Sequence, residues 1–205
     1  MPTSSAIGGL FWSYNSPGTF VWAFVLSSGR IHVRADYKFV MTPIEDVASA
    51  ITAKTRDIGI TRLSSIFADP EMFPKTTGKR TRIIEAETPS QTFARFGLPI
   101  VAAGSNREHG WQRVHEYLRV APDGKPWMVL DPDCTTLIRT VPTLVQTTNN
   151  PNDCEGDEYA AKALMFMLSA RPSPSSLTPK RQPFAWGTVG WLKGLDTVKR
   201  GVLAR

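Results

Sequence analysis

Cysteine is scarce in this chain. Two occur in 205 residues, Cys134 and Cys154, with no CxxC pair and with His32, His109 and His115 not spaced around them as ligands. That excludes a zinc scaffold and a disulfide framework, and leaves two free thiols as the expectation for a reducing compartment. Long apolar runs are missing too: nothing approaches the roughly 20 residues of a membrane-spanning helix. The first five residues lack the basic start and apolar stretch of a secretory signal, so a cytosolic protein with no membrane partner is the expectation. No GxxxxGK[ST] loop is present, because Gly78-Lys79 and Gly124-Lys125 lack both the upstream glycine and the following Ser or Thr. ATP hydrolysis by that route is excluded. There is no GxSxG elbow either.

What is there reads as one globular body with an appendage. Hydrophobic residues make up 41% of the chain, ample for a core. The net charge of +6 is uneven: from residue 171 onward seven basic residues face a single acid, Asp196, while the rest of the chain is balanced. Such a tail attracts nucleic acid or an acidic protein surface equally well. The Pro/Ser-rich stretch after Arg171 reads as a linker, giving a body over residues 1–171 and a basic, tryptophan-containing tail over 172–205.

Along the body, residues 7–12, 19–26 and 31–37 read as three strands joined by turns at Asn15-Ser16-Pro17-Gly18 and Ser27-Ser28-Gly29-Arg30. Thr42, Pro43 and Glu45 have the spacing of a capping box, and Ile44, Val47, Ala48 and Ile51 form the apolar stripe of the helix that follows. Residues 63–68 form a buried strand ending at Asp69-Pro70. Thr88-Pro89-Ser90-Gln91 repeats the helix-start device, with Phe93 and Phe96 inward and Gly97 as the stop. Residues 98–102 read as a strand and 106–120 as a helix with Trp111, Val114 and Leu118 on one face. Residues 127–130 and 137–138 suggest a small ribbon or irregular excursion. A polar run then leads into an apolar helix headed by Asp157 and Glu158. Alternating strands and helices after a meander describe an α/β fold, a mixed sheet flanked by helices.

Two acidic features carry the chemistry. Asp69 ends a buried strand, where α/β sheets open their crevices, although a turn-forming Asp before Pro accounts for it equally simply. Asp157 and Glu158 sit at a helix start, where acids complement the dipole without any metal. Brought together, Asp69, Glu158 and Asp157 are candidate ligands for a divalent cation and candidate catalytic residues of a phosphodiester-cutting site. Arg107 and Arg113, in a cluster of donors with Gly110 and Trp111, have the composition of a phosphate contact or of a solvated helix start. Lys75, Lys79 and Arg80 lie in a polar loop after Asp69 that nucleic acid could follow.

The ordered set Phe11-Trp12-Ser13-Tyr14, Ala68-Asp69-Pro70, Gly110-Trp111-Gln112-Arg113, Cys134 with Leu137-Ile138-Arg139-Thr140-Val141-Pro142, and Asp157-Glu158-Tyr159-Ala160-Ala161-Lys162 resembles the nuclease domain of the large terminase subunit of tailed bacteriophages. The resemblance runs from about residue 7 to 172. It implies a ribonuclease H-like fold, Mg²⁺ or Mn²⁺ held by acids, and a role in cutting concatemeric DNA during packaging. It also implies double-stranded DNA as a partner, with the packaging ATPase or portal, in the cytoplasm of an infected bacterial host. Asp69 matches the family's second acid and Glu158 its third, with Asp157 beside it. Phe11 stands where the first-strand acid belongs, Ser13 where a glycine does, Tyr159 where a His is usual and Lys162 where a further Asp is usual.

A phenyl ring offers no anionic oxygen to a pair of metal ions. Lys162 is placed to neutralise Glu158 one helical turn away, and Asp36, on a neighbouring strand, is the other acid to consider. The expectation is a nuclease-like module that binds DNA or the packaging machinery with cleavage impaired or lost. The alternatives are an active Mg²⁺- or Mn²⁺-dependent endonuclease with a rearranged ligand set, and a non-enzymatic virion or interaction protein. With no ATPase motif, packaging would need a separate motor, or this chain is part of a longer one.

Overall fold

The computed structural model describes residues 5–74, 87–147 and 154–177. The meander is present: β1 (Ser5–Phe11) pairs antiparallel with β2 (Gly18–Val25), and β2 pairs antiparallel with β3 (Ile31–Phe39). Helix α1 (Ile44–Asp57) crosses the sheet and returns the chain as β4 (Ser65–Ala68), parallel to β1 on its free side. Helix α2 (Pro89–Arg95) leads to β5 (Val101–Ala102), which adds parallel to β4. Next come α3 (Arg107–Leu118), β6 (Met128–Leu130), which lies parallel to β3, and α4 (Thr135–Thr140). A two-stranded ribbon, β7 (Val145–Gln146) with β8 (Cys154–Glu155), precedes the last long helix, α5 (Tyr159–Ser169). The sheet order is β5-β4-β1-β2-β3-β6, a mixed six-stranded sheet flanked by five helices.

Side-chain alternation divides the core into two layers. On one face Leu10, Phe20 and Trp22 pack with Ile51 of α1 and Phe93 of α2. On the other, Ile7, Val21 and Val33 pack with Tyr117 of α3, Leu137 of α4 and Leu164 and Met167 of α5. The central strands β1 and β2 are covered on both faces, which is why they read as nearly continuous apolar runs.

Several local expectations are corrected. The Thr42 capping box does not form. Its hydroxyl donates to the Val40 carbonyl at 3.0 Å, across the left-handed Met41 (φ 49°), and the helix starts one residue later, behind Pro43. At Thr88, Gln91 Oε1 does accept from the Thr88 amide at 2.8 Å. Phe96 lies past the helix end, 40% exposed, with the Arg95 guanidinium 5.1 Å from its ring centroid. The strand expected over 98–102 pairs only at Val101 and Ala102, since Pro99 removes an amide donor. Helix α3 turns Gly110, Val114 and Tyr117 inward at helical spacing, leaving Leu118 exposed. Residues 127–130 form no excursion; β6 extends the main sheet, and Leu137 and Ile138 belong to α4.

Candidate functional site

The site is built where β1 and β4 end beneath the start of α5. Leu10 pairs with Ala68 in parallel register, so the next residues along, Phe11 and Asp69, lie side by side at the same end of the sheet. Gly9 fixes the height of α5 above them. A Cβ there would sit 2.2 Å from the Ala163 carbonyl oxygen, so only glycine lets the helix backbone rest on the strand. Between α3 and α5 the approach is also close, but against a side chain: a Cβ on Gly110 would fall 2.7 Å from Met165 Cγ, which would have to shift. These contacts bring the first turn of α5 over Phe11.

Asp69 is 8% exposed. Its Oδ1 accepts the Glu71 amide at 2.9 Å, capping the short 3₁₀ turn Pro70–Met72, so it forms a turn and faces a cleft at once. Burial pushes its carboxyl above the usual range, a rise opposed by the Glu71 amide and by the charges of Arg107 and Lys162. The cleft, of about 290 Å³, is lined by Phe11, Trp12, Tyr14, Asp69, Arg107 and Lys162 among others. Arg107 is the first residue of α3, whose start is capped by Asn106 Oδ1 accepting the His109 amide at 2.9 Å.

Glu158 is the residue that caps the start of α5, and Asp157 lies just before it, so both head the helix from outside its first turn. Glu158 Oε1 accepts from Lys162 Nζ, an i,i+4 ion pair only 18% and 15% exposed. Glu158 Oε2 is buried with no hydrogen-bond partner. Asp157 Oδ2 accepts from Lys38 Nζ at 2.6 Å, and its Oδ1 is likewise buried without one. The Phe11 ring stacks on Tyr159 with centroids 5.7 Å apart, and the Lys162 ammonium stands 5.4 Å from the Phe11 centroid. Asp69, Phe11 and Lys162 thus line one cleft, and Glu158 is tied to it through its ion pair with Lys162.

Asp36 is not part of this group. It is buried, and its Oδ2 accepts the Leu137 amide at 2.7 Å at the start of α4. Arg113 turns inward, 9% exposed, bonding Glu116 Oε2 at 2.7 Å and His109 Nε2 at 3.0 Å. Glu116 also accepts from Ser173 Oγ at 2.9 Å, and Tyr117 donates to the Pro172 carbonyl at 3.2 Å, so this end of α3 holds the chain after α5. Lys75, Lys79 and Arg80, and the tail beyond residue 177, lie outside the described residues. Lys38 escaped the sequence reading, although strand alternation puts it on the α5 face with Asp36.

Two divalent cations need anionic oxygens between them, and here that space is bordered by a phenyl ring and an ammonium. Among the described residues no three His, Cys, Asp or Glu side chains are grouped to hold a metal ion. The donor set does not fit a metal pair. No helix among the described residues is long and apolar enough to cross a membrane.

No family model and no curated protein matches the chain. Solved structures do. The large terminase of a thermophilic bacteriophage aligns with a TM-score of 0.61 at 11% identity over 82% of this chain and 40% of that one. The P22 large terminase nuclease domain aligns with a TM-score of 0.58 at 10% identity, over 87% of this chain and 88% of that one. The nuclease domain of the large terminase of bacteriophage SPP1 with bound Mn gives a TM-score of 0.51 at 15% identity, over 80% and 84%. The chain thus spans about 40% of the length of the thermophilic phage's large terminase and most of the length of the two nuclease domains. At these identities the likeness establishes the fold: this chain has the ribonuclease H-like α/β fold of large terminase nuclease domains.

Proposed function

We propose that this chain is a nuclease-fold module of viral DNA packaging whose cleavage is lost or strongly impaired. It serves to hold double-stranded DNA or to dock with the packaging ATPase or portal, in the cytoplasm of an infected bacterial host. The observation that carries this reading is that the Phe11 ring and the Lys162 ammonium share the cleft with Asp69, while Lys162 takes up a Glu158 oxygen. The fold supports the packaging setting. That arrangement argues against hydrolysis, because in-line attack on a phosphodiester draws on cations that hold and charge the attacking and leaving oxygens.

What these residues retain is binding chemistry. Arg107 opens a helix at the cleft, where a guanidinium and helix-start amides suit a phosphate. Trp12 and Tyr14 give the cleft flat apolar walls. Lys75, Lys79 and Arg80 would continue the contact along the backbone, and the basic tail would add sequence-independent attraction. Arg113, folded inward, supports α3 instead.

The test is a pair of measurements on purified protein with supercoiled plasmid. A mobility shift without divalent ions is expected, with no conversion to nicked circles in Mn²⁺. A second reading, an endonuclease using Asp69, Glu158 and Asp157, is favoured by the two buried carboxylate oxygens that lack partners. Nicking in Mn²⁺ that Asp69→Ala abolishes would establish it and overturn the first.

A further inference from the structure

The sheet has an open edge far from the cleft. β6 is its last strand, and β3 holds it from one side only. Ile31 donates to the Trp127 carbonyl and Asp131 to that of Val33, both at 2.9 Å. In a parallel ladder this turns the backbone groups of Val129 toward β3 and those of Met128 and Leu130 away from it. Among the described residues no strand pairs on that outer side. The face beside it is open as well. Phe24, His32 and Val129 stand abreast across β2, β3 and β6, and Val129 is 47% exposed. Leu118 and Val120 are exposed too, and Val120 bridges to Pro126, two residues ahead of β6. An edge of this kind invites another strand.

The chain leaves the folded body near this edge. Pro172 and Ser173 are held by Tyr117 and Glu116 in the last turn of α3, a few residues ahead of Val120, and the short helix Pro174–Leu177 follows. Seven residues lead from Leu177 to Phe184, a reach of up to about 25 Å at full extension. From Gln182 to Leu192 the sequence carries no charge, while Lys180 and Arg181 precede this window and Lys193 follows it. Phe184 and Trp186 are two apart, the spacing of neighbours on one face of a strand. The edge carries the opposite sign at its two ends. Asp123, before β6, and Asp133, after it, are each more than half exposed even with Arg30 and Arg34 bound to them.

We infer that residues 183–192 of this chain dock on β6, adding a strand to the sheet edge and seating Phe184 and Trp186 on the row of Phe24, His32 and Val129. Strand addition draws its affinity from main-chain hydrogen bonds and its selectivity from alternate side chains. The covalent tether raises the effective concentration of the segment, which favours it over a free peptide. Docking also divides the tail by role: an apolar segment returns to the body, and the basic residues on either side of it stay available to a polyanion.

The test is hydrogen exchange on the full chain, read at single amides by NMR. The Met128 and Leu130 amides face outward, so their protection reports a partner on the edge. Both should exchange slowly in the parent. Phe184→Ser combined with Trp186→Ser should speed them at least about tenfold, and Val129→Lys, on the docking face, should do the same. Amides of α5 report the global fold and should keep their rates in both variants. Should Val129→Lys disturb α5, the double serine variant decides alone. Fast exchange at Met128 and Leu130 in the parent overturns the proposal, as does slow exchange that the substitutions leave untouched. Protection that rises with protein concentration would put the segment on a second copy, and that overturns docking within one chain.

Discussion

At Asp69 one carboxylate is both the cap of a turn and a wall of the cleft. Its raised pKa has burial as the leading cause, so the folded state holds the proton more firmly than the unfolded chain does. Stability therefore falls as pH rises from the ordinary carboxylate range through the folded value, and stays lower above it. Asp69→Asn keeps an oxygen for the Glu71 amide and removes the charge. It should raise the Tm at pH 7 and make no difference at pH 3, measured by calorimetric melts across that range. The two thiols differ for a related reason. Cys134 is fully buried, with Sγ 3.4 Å from the Val33 carbonyl, and burial pushes its pKa up to about 12. A thiol-reactive dye should label Cys154 in the native protein and reach Cys134 only on unfolding. Rapid native labelling of both would contradict the packing of α4.

At the scale of the element, α5 decides the site because β1 lets it approach. Gly9→Ala places a methyl against helix backbone at the Ala163 carbonyl, and backbone cannot step aside as a flexible side chain can. The cost should be about 1–3 kcal/mol, read from chemical denaturation, with α5 lifted off the strand end. The paired strands were legible from two apolar runs and the alternation of the third strand, and α1 from the stripe at Val47, Ala48 and Ile51. What alternation could not give was the partner of each polar group. Thr42 had the spacing of a cap, but the turn at Met41 sends the Thr42 hydroxyl back to Val40. Asp36 was legible as a strand acid, not as the acceptor for an amide 101 residues away. Arg113 had the composition of a phosphate contact, while the inward face of α3 was set by Gly110 meeting α5. Local sequence records spacing; long-range pairing is settled by which faces meet.

Across the whole molecule, the proposed binding is an electrostatic matter and should depend on salt. The slope of log affinity against log salt for duplex DNA should shrink by up to about 0.9 for each phosphate contact removed. Replacing Lys180, Arg181, Lys199 and Arg200 by Gln measures the tail's share by filter binding; an unchanged slope would assign the tail to another partner. The resemblance read from Asp69, Glu158 and their neighbours reached the correct fold, because those residues mark one end of the sheet. The edge position of β6 was not legible, since three residues carry too little pattern to tell a strand from a loop. One consequence follows from the burial of α5 on almost every side. This helix cannot detach without opening its whole layer of the core, so its amide protons should trade for deuterium only through global opening, and alongside those of β1 and β2. The residues that face the cleft would then ride on the slowest-exchanging part of the protein.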